Sequence, residues 1–124
     1  MDGYDAISRT ARSHASVIRR PYGRCLEVSD NLARDLNAQG IPARVLRCSD
    51  GAIDAPHADA RLRNLSRAPA SWVHYVVQTD DYIIDLTRRQ FDPDAAQPHY
   101  CDARSLAAEW RTIEPAVQPE SPAT

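Results

Sequence analysis

Two short runs constrain the fold most. SWVHYVVQT (71–79) and YIIDLT (82–87) are rich in β-branched and aromatic residues and are separated only by Asp80 and Asp81. Such runs around a polar junction predict a β-hairpin. If the loop is even, of two or four residues, Thr79 faces Tyr82, Val76 faces Asp85 and His74 faces Thr87. His74 and Asp85 are then diagonal neighbours on one face of the ribbon, within side-chain reach. An odd loop would put them on opposite faces. Each interrupts an otherwise apolar strand, and a polar side chain taken out of water needs a partner. Each is the obvious partner of the other. An Asp so placed accepts the imidazole N–H, fixing its tautomer and stabilising the imidazolium.

The strongest helix signal is RCLEVSDNLARDLNAQG (24–40). Cys25, Leu32 and Leu36 fall on one face with Val28 beside them, and Gly40 supplies the stop after the last turn. Cys25 therefore lies in the first turn, where unpaired N–H groups and the helix dipole favour a thiolate. The same N–H groups can hold a developing oxyanion. Only the thiolate is a nucleophile, so this placement is what thiol chemistry requires.

Residues 4–20 read as a further helix, with Ile7, Ala11, Ala15 and Ile18 at steps of three and four, ended by Pro21 and Gly23. IPARVLRC (41–48) reads as a strand entered at Pro42. Residues 49–70, rich in Asp, Ala, Pro and Arg, read as a long loop with at most a short helix around Ala58–Leu65, of the kind that more often forms a functional rim than a structural need. Residues 88–100 read as irregular. Asp102 is placed to cap a short helix, Ala103–Trp110. EPAVQPESPAT (114–124) is Pro-rich and is expected to be disordered. The expectation is one α+β domain over 1–113, with helices on an antiparallel sheet of about three or four strands, followed by the tail.

The chain has 124 residues and a net charge of −2, which gives no electrostatic case for nucleic acid or an anionic membrane. All 15 basic residues are Arg, so Lys-based Schiff-base chemistry is excluded. No apolar run is long enough to span a membrane, and the N-terminal segment lacks the pattern of a cleavable leader. Cys25, Cys48 and Cys101 are far apart, without C-x-x-C or His at ligand spacing. That argues against a structural zinc and for free thiols in a reducing compartment. No metal or organic cofactor is expected.

The order Cys on a helix, His on a strand, Asp on the next strand resembles the papain-like and transglutaminase-like cysteine hydrolase superfamily. GRCLEVSDNLARDLNAQGIPARVL, WVHYVV and DDYIIDLT carry the resemblance, over residues 23–87. The pattern of Cys, amphipathic helix, Gly-Ile-Pro-Ala-Arg and strand is similar to the papain-fold domains of bacterial toxins and effectors. The resemblance implies a minimal papain-like core with Cys25 as nucleophile, His74 as general base and Asp85 as the orienting carboxylate. It departs from the proteases in lacking an upstream Gln, in having Leu26 where an aromatic residue often follows the Cys, and in being too short for two lobes. A deamidase-type toxin fits that size better than a broad-specificity protease. The substrate implied first is the side-chain amide of a protein Gln; a peptide bond, or transfer to an amine, comes next. A toxin would act in a reducing cytoplasm after delivery by a secretion system, and would be matched by a cognate immunity protein.

Trp72, on the strand face of His74, and Arg24, just before the thiol, are the candidate substrate-binding residues. Cys48 reads as a packing residue and Cys101 as incidental. His14, His57 and His99 read as solvated, and so do Arg88, Arg89 and Gln90 after the hairpin. His57 and Asp54 stand where the long loop could border the cleft. Trp110 reads as core. The competing reading, of another class, is a non-catalytic binding module in which Cys25, His74 and Asp85 are relics or core residues.

Overall fold

The computed structural model describes residues 3–18, 25–51, 73–80, 82–90 and 94–116. Its elements are α1 (Gly3–Ala15), α2 (Cys25–Ala38), β1 (Ala43–Gly51), β2 (Val73–Thr79), β3 (Ile83–Asp85), a 3-10 turn (Arg88–Gln90), β4 (His99–Cys101), α3 (Ala103–Glu109) and β5 (Trp110–Pro115). Trp72, Arg24, Asp54, His57, the short helix around Ala58–Leu65 and the tail beyond residue 116 fall outside the described residues.

The periodicity of α2 puts Val28, Ser29, Leu32, Ala33 and Leu36 on its buried face. Gly40, at φ +82°, turns the chain out of the helix, and Ile41 N–H donates back to the Leu36 carbonyl at 2.9 Å. Asn37 then ties the helix end to the first strand. Its amide donates to the Ala43 carbonyl at 2.9 Å and its oxygen accepts from Ala43 N–H at 3.0 Å. α1 docks on α2 through Ile7, Ala11 and Ala15, and His14 Nε2 meets Asp35 Oδ2 at 2.9 Å. His14 is thus a tie between two helices, not a solvated side chain.

The sheet has five strands in the order β4-β3-β2-β1-β5, every described pair antiparallel. Val45, Val77 and Ile84 face α1 and α2. Leu46, Cys48, Val76 and Ile83 face the other way, packed with Leu106 of α3 and Trp110. Both faces of the central strands are covered, so their sequences read as nearly continuous apolar runs. The hairpin register is the even one: Val77 pairs with Ile84, Gln78 with Ile83, and Thr79 N–H donates to the Tyr82 carbonyl at 2.9 Å.

The C-terminal segment departs from the sequence reading. Asp102 caps α3 as expected, its Oδ1 accepting from Ser105 N–H at 2.8 Å, but the helix stops at Glu109. Trp110 is already extended, and residues 110–115 form β5 against β1, with Cys48 opposite Ile113 and Leu46 opposite Pro115. Glu114 and Pro115 therefore belong to the sheet and not to a disordered tail. β5 is an edge strand, where a terminal proline costs no ladder bond. The run 88–100 likewise ends in a short strand, β4, which places His99 opposite Asp85 rather than in a loop. No helix among the described residues is long and apolar enough to cross a membrane.

Candidate active site

Cys25 is the first residue of α2 and is partly exposed. His74 and Asp85 are buried, at 0% and 3% exposure, and lie on adjacent strands. His74 Nε2–H donates to Asp85 Oδ2 at 2.8 Å. Asp85 Oδ1 accepts from Thr87 N–H at 3.0 Å, so both carboxylate oxygens are engaged. The hydrogen bond between His74 and the Cys25 thiol falls to the remaining ring nitrogen, Nδ1. The order thiol, imidazole, carboxylate is continuous.

The charges follow from these contacts. Burial opposes ionisation of Cys25, but the hydrogen bond and positive charge of His74, with a hydrogen bond to the Tyr75 backbone, bring its pKa below the ordinary thiol value. Burial also opposes charge on His74. The Asp85 carboxylate outweighs it, and with the Cys25 contact takes the imidazole up to about 9. Asp85, equally penalised by burial, is held below the usual carboxylate range by His74 and, secondarily, by Arg88 and the Thr87 N–H. The two other thiols behave differently: burial and neighbouring carboxylates push Cys48 and Cys101 up to about 12. Among three free cysteines, only Cys25 is predisposed to be a thiolate.

Two neighbours of the site, Trp110 and Arg88, were not legible as such. Trp110 stacks on the His74 ring, with centroids 5.7 Å apart and planes at 19°, which fixes the imidazole from its face. Arg88 is buried, not solvated, and its guanidinium is bidentate to Glu109 with both N–O distances 2.6 Å. Its positive charge also acts on Asp85. Arg89 is tied to the backbone, its Nε donating to the Ala95 carbonyl at 2.9 Å. The only signal for Arg88 was its place three residues after Asp85; its partner is 21 residues away in sequence.

Leu26 and Tyr75, the chain neighbours of Cys25 and His74, line a groove of ≈ 440 Å³ together with Arg47, Glu114, Pro115 and Ala116. Leu26 is 45% exposed and so presents an aliphatic side chain to the groove. No group of side chains suited to holding a metal ion occurs among the described residues. Comparison with protein-family models, curated proteins and solved structures gives no match to any of them.

Proposed function

We propose that this chain is a thiol-dependent acyl-transfer enzyme with Cys25 as nucleophile, His74 as general acid and base, and Asp85 as the carboxylate that orients and charges the imidazole. The observation that carries the reading is the unbroken order from a helix-terminal thiol through a buried imidazole to a buried carboxylate. A core histidine needs one partner; this one has an acidic partner on one nitrogen and a thiol on the other. The Cys25 thiolate attacks an amide carbonyl, and N–H groups at the start of α2 hold the oxyanion. The imidazolium protonates the departing nitrogen, leaving a thioester on Cys25. The neutral imidazole then takes a proton from water, which attacks the thioester, releasing the acid and restoring the thiol.

The substrate class we propose is a side-chain amide of a protein, glutamine first, in keeping with the resemblance to papain-fold deamidase toxins. The partly apolar groove beside exposed Leu26 supports a polypeptide substrate over a small polar amide. A toxin or effector of this kind would meet its substrate in a reducing cytoplasm and be held in check by an immunity protein covering the cleft.

Iodoacetamide at neutral pH tests the site. Cys25 is expected to be alkylated well before Cys48 and Cys101, and His74→Ala to slow it. Equal, slow labelling of all three would sink the enzyme reading in favour of a binding module. With candidate protein substrates, intact mass separates the reactions: a gain of about 1 Da marks amide converted to acid, whereas fragments mark a peptidase.

A further inference from the structure

The strand β2 is paired with β1 along its whole length, but β3 covers only its second half. β3 ends at Asp85, and its pairs with β2 are Val77–Ile84 and Gln78–Ile83. Main-chain groups of alternate residues in a strand point to the same side. Thr79 N–H points toward the β3 side, where it meets Tyr82, so the N–H and carbonyl of Val77 and of Tyr75 point there as well. Tyr75 lies past the end of β3, and its peptide groups have no strand to meet. A buried, unsatisfied main-chain group is costly, so something else must take that place.

Helix α2 takes it. Ser29, 1% exposed and one turn beyond Cys25, donates its hydroxyl to the Tyr75 carbonyl at 3.2 Å. The Cys25 sulfur is hydrogen-bonded to the backbone of the same residue. Positions i and i+4 of the helix thus grip one strand residue, and that residue directly follows His74 in the chain. A helix held at two points on Tyr75 has little freedom to slide or roll relative to the imidazole.

We infer that Ser29 is a positioning residue for the thiol site: by holding the Tyr75 carbonyl where β3 would otherwise pair, it sets the register between the start of α2 and β2 that brings Cys25 against His74. The inference rests on the thiol reading proposed above. It assigns Ser29 no contact with substrate.

The test is the pH dependence of iodoacetamide labelling at Cys25 in the full chain, read by peptide mass so that Cys48 and Cys101 are scored separately. Ser29→Ala is expected to raise the midpoint of labelling. A midpoint higher by about one pH unit slows labelling about tenfold on the acid side of the curve. Leu36→Ala, a larger cavity on the same helix face, is the control: it lowers thermal stability and leaves the midpoint in place. Ser29→Thr keeps the hydroxyl and is expected to restore the wild-type midpoint. A Ser29→Ala midpoint equal to that of wild type overturns the positioning role while leaving the thiol reading intact. So does a raised Ser29→Ala midpoint that Leu36→Ala reproduces at equal loss of stability. Should Ser29→Ala not fold, Ser29→Thr decides alone, a raised midpoint at wild-type stability counting against the inference. Wild-type labelling of Cys25 no faster than that of the other two thiols overturns the underlying thiol reading instead.

Discussion

Burial on its own would keep the Cys25 thiol protonated and the His74 ring neutral; Asp85, fixed behind the ring, is what favours the charged pair. Asp85→Asn removes that charge while keeping the shape. The imidazole pKa then falls from about 9; the thiol loses the imidazolium that lowers it, which outweighs the smaller relief from Asp85's own charge, and turnover in the proposed reaction is expected to drop on the order of 10²–10⁴-fold. Activity against pH should rise as Cys25 ionises, below the ordinary thiol value, and fall as His74 loses its proton near 9. Stability behaves differently. Where the folded pair is thiolate and imidazolium and the unfolded chain has thiol and neutral ring, both states hold one proton, and the stability of the pair is flat with pH. Cys25→Ser removes the compensating partner. His74, still raised by Asp85 but no longer by Cys25, then contributes stability that is fully present below about 6.5 and is lost as pH rises through its folded pKa, which in this variant lies below the wild-type value of about 9. Denaturant midpoints measured from pH 6 to 9 are expected to fall for Cys25→Ser and to stay nearly level for wild type; parallel curves would contradict a thiolate–imidazolium pair.

At the scale of elements, α2 is held at both ends: by the Tyr75 contacts near Cys25, and by Gly40 and Asn37 at its exit. Nothing lies within 4 Å of a Cβ placed on Gly40, so Gly40→Ala meets no clash and its cost is purely the left-handed backbone. That cost is about 1–2 kcal/mol, measurable by chemical denaturation, with the labelling rate of Cys25 unchanged. The Arg88–Glu109 pair is a different case, with side chains 8% and 15% exposed. Glu109→Gln leaves a buried guanidinium without its anionic partner and is expected to cost about 3–5 kcal/mol. These elements also show what local sequence can and cannot reveal. The course of α2 and its stop at Gly40 were legible, because each is set by spacing within a few residues; the parity of the β2–β3 hairpin stood as a condition, which the two-residue connection between Thr79 and Tyr82 meets. The His74–Asp85 contact was legible under that condition, because two polar side chains in apolar strands need partners. The burial of Arg88 was not, because it depends on a partner two elements away. The stacking of Trp110 on His74 escaped for the same reason, since a tryptophan at the end of a helical pattern says nothing of the ring it covers.

At the scale of the whole molecule, the segment most misread from sequence is the one that closes the sheet. A composition of Pro, Glu and small residues from 114 onward looks disordered in isolation, yet Glu114 and Pro115 are paired because β1 presents an open edge to them. Arg47, directly opposite Glu114, adds an ion pair at 3.1 Å, and Ala116 N–H donates to the Val45 carbonyl at 2.9 Å. Both members of that pair are more than a third exposed, so the charge contact contributes little; the ladder and the packing of Ile113 on the second core carry the strand. Ending the chain after Arg111 would strip those bonds and leave β1 as an unprotected edge. Losing the partly buried Ile113 side chain and the ladder bonds of β5 costs roughly 2 kcal/mol or more, a sizeable share of the ~5–15 kcal/mol by which a domain is stable. The shortened chain is therefore expected to unfold at markedly lower denaturant and to self-associate on size-exclusion chromatography. A chain ending after Ala116 keeps β5 whole and should exceed the one ending after Arg111 in both stability and monomer content. If the chain ending after Arg111 were as stable and monomeric as the full one, β5 would not be part of the folded domain, and Trp110 would lose the strand that holds it against His74.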